Sequence, residues 1–127
     1  MYRSVSVGHA SGGNYYNYGR SYDVDVGYNA GVTNRQGDYS VHVGYISDSL
    51  SNSVSYGVSV GANAKVSNYS VSIGYETQYT GNSGSTHLVT VGYGAGYDMD
   101  GGDYSIYVGY RAGHGGGTGS YNITVGS

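Results

Sequence analysis

A cluster of three carboxylates is the first candidate for chemistry in this chain. Asp98, Asp100 and Asp103 lie close together, with Gly101 and Gly102 between the last two. Carboxylates at such short spacing in a glycine-rich loop can bind Ca²⁺. Calcium-binding β-rolls repeat a loop of this kind from coil to coil, whereas this cluster occurs once. We interpret it as a solvated turn and expect no metal or other cofactor.

The four histidines are the second candidate. His9, His42, His87 and His114 are spread along the chain, and no pair has the spacing of metal ligands. The sequence contains no cysteine that could act as a nucleophile. The sequence therefore predicts no catalytic, cofactor-binding or metal site, and no enzyme.

Tyrosine is the third candidate, with 18 residues of this type. Tyrosines beside Asn, Asp and Gly are suited to binding sugars, because they supply contact area at low entropic cost. Tyr15, Tyr16 and Tyr18 are the candidate surface-binding residues, with a cell-surface glycan as the partner, because they lie outside the repeat described next. Most of the other tyrosines recur at fixed repeat positions, which favours ladders that cover the coils.

A tandem repeat organises the whole chain as a single domain over residues 1–127. The pattern Val/Ile-x-Val/Ile-Gly occurs eight times, with a usual spacing of 17 residues. The repeats are centred on Gly8, Gly27, Gly44, Gly61, Gly74, Gly92, Gly109 and Gly126. The paired aliphatic positions form the predicted structural ladder: Val5, Val7, Val24, Val26, Val41, Val43, Val58, Val60, Val71, Ile73, Val89, Val91, Ile106, Val108, Ile123 and Val125.

Each repeat predicts one short strand, and the glycine that follows it predicts a sharp change of chain direction, which we call the glycine corner. A strand of this length cannot bury its apolar side alone, so coils must stack in parallel at about 4.8 Å. Alternation places Tyr, Val and Val on one side, which we expect to be the dry side, and the residue between the valines on the outside. The fold prediction is an all-β parallel β-solenoid, or β-roll, of about eight short coils. The rest of each repeat leaves room for a second strand that closes the coil, so we expect two short strands in each turn.

Composition excludes several functional classes. A net charge of −3 with five dispersed basic residues gives no surface for nucleic acid. No apolar run is long enough for a membrane helix, so membrane insertion is not expected. The richness in tyrosine and valine argues against disorder.

The repeat units resemble those of known fibres. Residues 26–31, 91–96 and 108–113 (VGYNAG, VGYGAG and VGYRAG) resemble the IGYxAG repeats of phage tail fibres. Residues 56–74 are similar to the head repeats of trimeric autotransporter adhesins. These resemblances imply a β-roll, commonly with three chains about one axis, that acts in host attachment.

The function expected from the sequence is a structural segment of a phage tail fibre or a bacterial surface appendage. It would work outside the cell and assemble with itself, as a homotrimer or as a head-to-tail filament. Two alternatives stay open: a carbohydrate-binding adhesin tip, and an ice-binding β-solenoid. An ice-binding face needs a regular array of threonines, and the residues between the paired valines are too irregular for one.

Overall fold

Ten short parallel strands make up the regular structure of the part of the chain that the structure describes. A computed structural model describes residues 3–13, 22–34, 36–80, 84–99, 101–115 and 119–127. Within these ranges the chain contains no helix. The strands are β1 (Val5–Val7), β2 (Val24–Val26), β3 (Val41–Val43), β4 (Asp48–Ser49), β5 (Val58–Val60), β6 (Lys65–Val66), β7 (Val71–Ile73), β8 (Val89–Val91), β9 (Ile106–Val108) and β10 (Ile123–Val125).

The strands stack as a parallel β-solenoid. Eight of them form one sheet in the order β1-β2-β3-β5-β7-β8-β9-β10, and each pair is parallel and in register. Val24 therefore pairs with Val5 on one side and Val41 on the other. The predicted fold class, with a repeat near 17 residues, is confirmed. The second strand expected in each coil occurs in only two coils of the described part, where β4 pairs with β6.

The glycine at the end of each strand forms a corner that other residues resist. These glycines have φ between 124° and 137°, for example 135° at Gly61 and 124° at Gly126. A Cβ added at Gly61 would overlap the carbonyl oxygen of Gly74 in the next coil. The residue must be glycine because both its backbone angle and the close approach of the coils forbid a side chain.

The predicted direction of the strand side chains was wrong. The residue between the paired valines points into the coil and is buried, as at Asp25, His42 and Ser59. The paired valines lie on the outside, where they are half-buried in most strands and exposed in β1 and β10. The strands of the large sheet thus direct mainly polar side chains inward and an apolar row outward. Apolar side chains such as Val54, Val66, Leu88 and Met99 fill the interior from positions outside these strands.

The narrow interior explains this direction. Across the coil, Asp25, Ser72 and Tyr107 each face the fourth residue after the glycine that ends their strand. Side chains on the two sides compensate in size: Asp25 and Tyr107 fill the space in which Gly31 and Gly113 would carry a Cβ. The small Ser72 instead faces Gln78 and donates a hydrogen bond of 2.9 Å to its Oε1 atom. If the paired valines pointed inward instead, the side chains would not compensate in size across the coil and these hydrogen bonds would be lost.

Candidate functional site

The apolar outside of the eight-stranded sheet is the most distinctive surface of the molecule. We call it the outer face. It consists of the paired Val/Ile positions together with the positions two residues before the first and two residues after the second, most of which hold an aromatic residue. In the repeat that contains β3, these residues are Tyr39, Val41, Val43 and Tyr45. Both tyrosines are about half exposed, at 48% and 54%.

One edge of the outer face is a continuous stack of rings, the strand-start ladder. Its ring centroids are 4.6–5.3 Å apart and its planes lie within 16° of parallel. Each described residue of this ladder has a φ of 54–65°, a left-handed conformation that is uncommon for a residue with a side chain. The members are Tyr22, Tyr39, Tyr56, Tyr69, His87, Tyr104 and Tyr121.

A second stack, the strand-end ladder, borders the other edge. His9, Tyr28 and Tyr45 stack at 5.2 and 5.3 Å. Ala62 then interrupts the column, and a further run of three rings follows it. These rings stack at 5.0 and 5.4 Å; they are Tyr75, Tyr93 and Tyr110. The interpretation of the recurring tyrosines as ladders is confirmed by these contacts.

A third, shorter stack lies past the turn that follows the strand. This turn ladder contains Tyr79, Tyr97 and His114, with centroid distances of 5.6 and 5.1 Å. In all three ladders the ring faces contact one another, so the edges and hydroxyl groups meet solvent. Sugars bind tyrosine mainly over the ring face, and the ladders leave little of that face free.

Charged groups are scarce on the outer face. In the described part of the chain, Arg3 is the one side chain at an outer-face position with a permanent charge. The other members are Val, Ile, Tyr, two histidines, Ala62 and Ser127. Depletion of charged residues together with enrichment of aromatic residues is typical of the centre of a protein–protein interface.

A shallow groove of about 270 Å³ separates the strand-end and turn ladders. Gly94 forms part of its wall, with Glu76 and Arg111 in the coils on either side. Arg111 Nη2 lies 2.9 Å from His114 Nε2, which accepts the hydrogen bond in the neutral ring. A hydrogen bond to Glu76 and the negative charge of that residue raise the pKa of the Tyr75 phenol above its ordinary value of 10.0. Glu76 and Arg111 are thus each held by an aromatic neighbour.

A buried hydrogen-bonded network crosses the interior at β2 and β3. His42 Nδ1 lies 2.7 Å from Asp25 Oδ1, and His42 Nε2 lies 2.9 Å from Ser49 Oγ. Because a carboxylate can only accept, Nδ1 carries the proton and donates it to Asp25. The side chains of His42 and Asp25 are both fully shielded from solvent.

This network has the connectivity of a Ser-His-Asp triad, with a hydroxyl, a base and a carboxylate that orients the base. A catalytic triad must also present its hydroxyl to a substrate next to donors for an oxyanion. Ser49 is buried, and its hydroxyl contacts His42 inside the coil. We therefore assign the network a structural role, in which three buried polar groups satisfy one another.

The residues of the carboxylate cluster have separate partners. Asp98 accepts a 3.3 Å hydrogen bond from the Thr80 hydroxyl, whereas Asp103 accepts a 2.6 Å hydrogen bond from the Thr86 amide. Asp100 lies outside the described residues, as do Tyr15, Tyr16 and Tyr18. In the part of the chain that the structure describes, no group of three or more His, Cys, Asp or Glu residues is placed to hold a metal ion.

Sequence reasoning missed His42, which it treated as an outward residue. Equivalent positions of successive repeats did contain a signal for this buried pair. Asp25, His42 and Ser59 occupy the same position in successive coils, and an acceptor stacked on a donor is the pattern of a buried polar pair. The search for ligand spacing along the chain could not detect a pair that stacking brings together over 17 residues.

Among the described residues, no helix has the length and apolarity needed to cross a membrane. Comparisons with models of protein families, with curated proteins and with solved structures find no match to this chain.

Proposed function

We propose that this chain is a non-enzymatic structural segment of an extracellular fibre, either a phage tail fibre or a bacterial surface appendage. The observation that carries the proposal is the direction of the strand side chains. Val and Ile point outward between two tyrosine ladders, while Asp, His and Ser point inward. A solenoid that works alone in water is expected to have the opposite arrangement, because apolar surface is stabilised by burial.

The size of the outer face supports self-association. Eight strands at about 4.8 Å make a face about 34 Å long and roughly 15 Å wide, on the order of 500 Å². A patch of that size is at the upper limit for a protein that stays monomeric. It also approaches the area of about 800 Å² that each partner contributes to a stable interface.

The proposed partner on this face is a second copy of the chain. The face lacks charges that would repel an identical surface, apart from Arg3 among the described residues. The rows of Val and Ile form regular ridges, against which the same rows of a second copy can pack. The tyrosine hydroxyls can hydrogen-bond to water at the edge of such an interface. Packing of outer faces around one axis gives a homotrimer, the state that the resemblance to fibre repeats implies. Head-to-tail stacking remains the second route to a filament.

Replacement of Val60 by aspartate tests the proposal. An aspartate there should stay hydrated in the isolated chain but become a buried, unpaired charge in the assembly. We expect the β-sheet signal in circular dichroism to persist and the mass from light scattering to fall from a multiple of the chain mass to that of one chain. Asn52→Asp is the matched control, because it adds the same charge at an exposed turn residue.

Two outcomes would contradict the proposal. If Val60→Asp kept the mass of the wild-type assembly, the outer face would not be the interface. If the variant unfolded while Asn52→Asp remained folded, Val60 would belong to the interior. The count of chains in the wild-type assembly separates the trimer from the extended filament.

A further inference from the structure

Neighbouring tyrosines on this solenoid lie at distances suited to covalent coupling. Eight pairs of tyrosines stack between successive coils at 4.9–5.6 Å, with planes within 19° of parallel. Most of these rings are between one-third and three-fifths exposed, for example 45% at Tyr28 and 58% at Tyr110. The rings therefore combine close approach with contact to solvent.

We propose that the tyrosine ladders are a site of oxidative modification, at which a one-electron oxidant couples tyrosines of successive coils into dityrosine. Each phenol loses one electron to the oxidant and one proton to water, which gives two phenoxyl radicals. The radicals join through a new bond between the ring carbons adjacent to the oxygen-bearing carbons. Each of the two joined carbons then loses its hydrogen as a proton, and the oxygen of the same ring takes up a proton, which restores the aromatic phenol. The sum is one C–C bond formed, two C–H bonds lost, and two protons and two electrons released.

The rings must turn before they couple, because stacked rings face each other rather than meeting at their edges. Rotation about χ2 of tyrosine is broad and roughly two-fold, and a half-exposed ring has room to rotate. The backbone keeps each phenol within about one strand spacing of its neighbour during that motion. Each phenoxyl radical therefore meets the radical on its ladder neighbour at a much higher effective concentration than a radical on another chain in dilute solution.

The interruptions of the ladders make the inference specific. Ala62 separates Tyr45 from Tyr75 in the strand-end ladder, and these two tyrosines are in coils that are not adjacent. At the same level, Tyr56 and Tyr69 of the strand-start ladder stack at 5.2 Å. The geometry therefore permits a Tyr56–Tyr69 bond and forbids a Tyr45–Tyr75 bond. His87 separates Tyr69 from Tyr104 in the same way.

The inference does not depend on the proposed function, because it concerns neighbours within one chain. The turn ladder is not part of the outer face, so the Tyr79–Tyr97 pair offers a test whether or not that face is covered. A bond between coils would staple the solenoid along its axis, in the direction in which the coils are otherwise held by hydrogen bonds and stacking.

The experiment oxidises the purified full chain at high dilution with a light-activated ruthenium complex and persulfate as the electron acceptor. Dityrosine fluorescence gives the yield, and mass spectrometry of proteolytic fragments maps the linked pairs. In the native chain we expect links between ladder neighbours to exceed other tyrosine links by at least about tenfold. The same chain in guanidinium should lose this preference. Ala62→Tyr should add links from the new residue to Tyr45 and Tyr75.

The controls decide the outcome. Tyr93→Phe should abolish both links of Tyr93, to Tyr75 and to Tyr110, and leave the Tyr79–Tyr97 link in place. Equal maps for the native and the denatured chain would overturn the inference. So would a folded Ala62→Tyr variant without new links, or products linked only between chains. None of these results would bear on the effect of Val60→Asp on assembly, so the two proposals fail separately.

Discussion

Replacement of Gly61 by alanine should prevent stable folding, with a loss of at least about 4 kcal/mol in the free energy of unfolding. Two costs add at this position. The backbone has a φ of 135°, at which a residue with a Cβ loses about 1–3 kcal/mol. The added Cβ would also overlap the carbonyl oxygen of Gly74 in the next coil. Because that oxygen belongs to the backbone, the overlap can be relieved only if the two coils move apart. Thermal or chemical unfolding followed by circular dichroism measures the loss.

Gly126→Ala is the matched control for this prediction. Gly126 holds the same position of the repeat with a φ of 124°, but a Cβ there has no atom of another coil within 4 Å. This variant should pay only the conformational cost of about 1–3 kcal/mol. Equal losses for Gly61→Ala and Gly126→Ala would show that the close approach of coils at the glycine corner contributes nothing.

His42→Ala should be the second most damaging change, at about 3–5 kcal/mol. The histidine donates a 2.7 Å hydrogen bond to Asp25 inside the coil, and its removal leaves the charge of that carboxylate buried without its ring partner. Ser49 loses its contact with the other ring nitrogen in the same variant. Since a domain is usually stable by about 5–15 kcal/mol, much of the total would be lost. Denaturant titration measures the change.

His9→Ala provides the comparison for the buried histidine. His9 is exposed at the end of the strand-end ladder, where its ring stacks on Tyr28 at 5.2 Å. Loss of one such stack should cost no more than about 1.5 kcal/mol. If the two histidine variants lost equal stability, the network of Asp25, His42 and Ser49 would not be a stabilising element.

The period and the type of fold could be predicted because they depend on local chemistry. Val-x-Val favours a strand, and a glycine such as Gly61 tolerates the corner that ends it. Repetition of this unit at near-constant spacing leaves parallel stacking as the way to pair the strands. The second strand was predicted in every coil, but among the residues that the structure describes it occurs in two coils. It requires the residues after the turn to pair, as Asp48 and Lys65 do.

The direction of the strand residues could not be predicted by the usual rule. That rule places the apolar side of an alternating strand inward, on the assumption that the isolated chain must hide it from water. In this chain the inward position holds Asp25, His42 and Ser59, which hydrogen-bond inside the coil. The argument against an ice-binding array was based on this column as an outer surface. That column is buried, and the outward array consists of the paired Val and Ile residues between the tyrosine ladders.

The candidate site was predicted only in part. The recurring tyrosines were identified as ladders from their fixed positions, because a column in a stacked repeat brings equal residues together. The outer face was identified from which strand side chains are buried and which are exposed. The amino-acid sequence alone does not determine that direction. Val60 illustrates the difference: the sequence predicts it as part of a dry ladder, whereas the structure places it half-buried on the outside.

Cysteine labelling at two adjacent positions tests the central claim, that the polar column faces inward and the apolar face binds a second copy. The chain contains no cysteine, so Ser59→Cys and Val60→Cys each introduce a single thiol. We predict that Cys at position 59 resists a thiol reagent until the chain is unfolded. Cys at position 60 should react in dilute solution and become protected as the concentration rises and chains assemble. Rapid labelling at position 59 in the folded chain, with position 60 blocked at every concentration, would contradict the account.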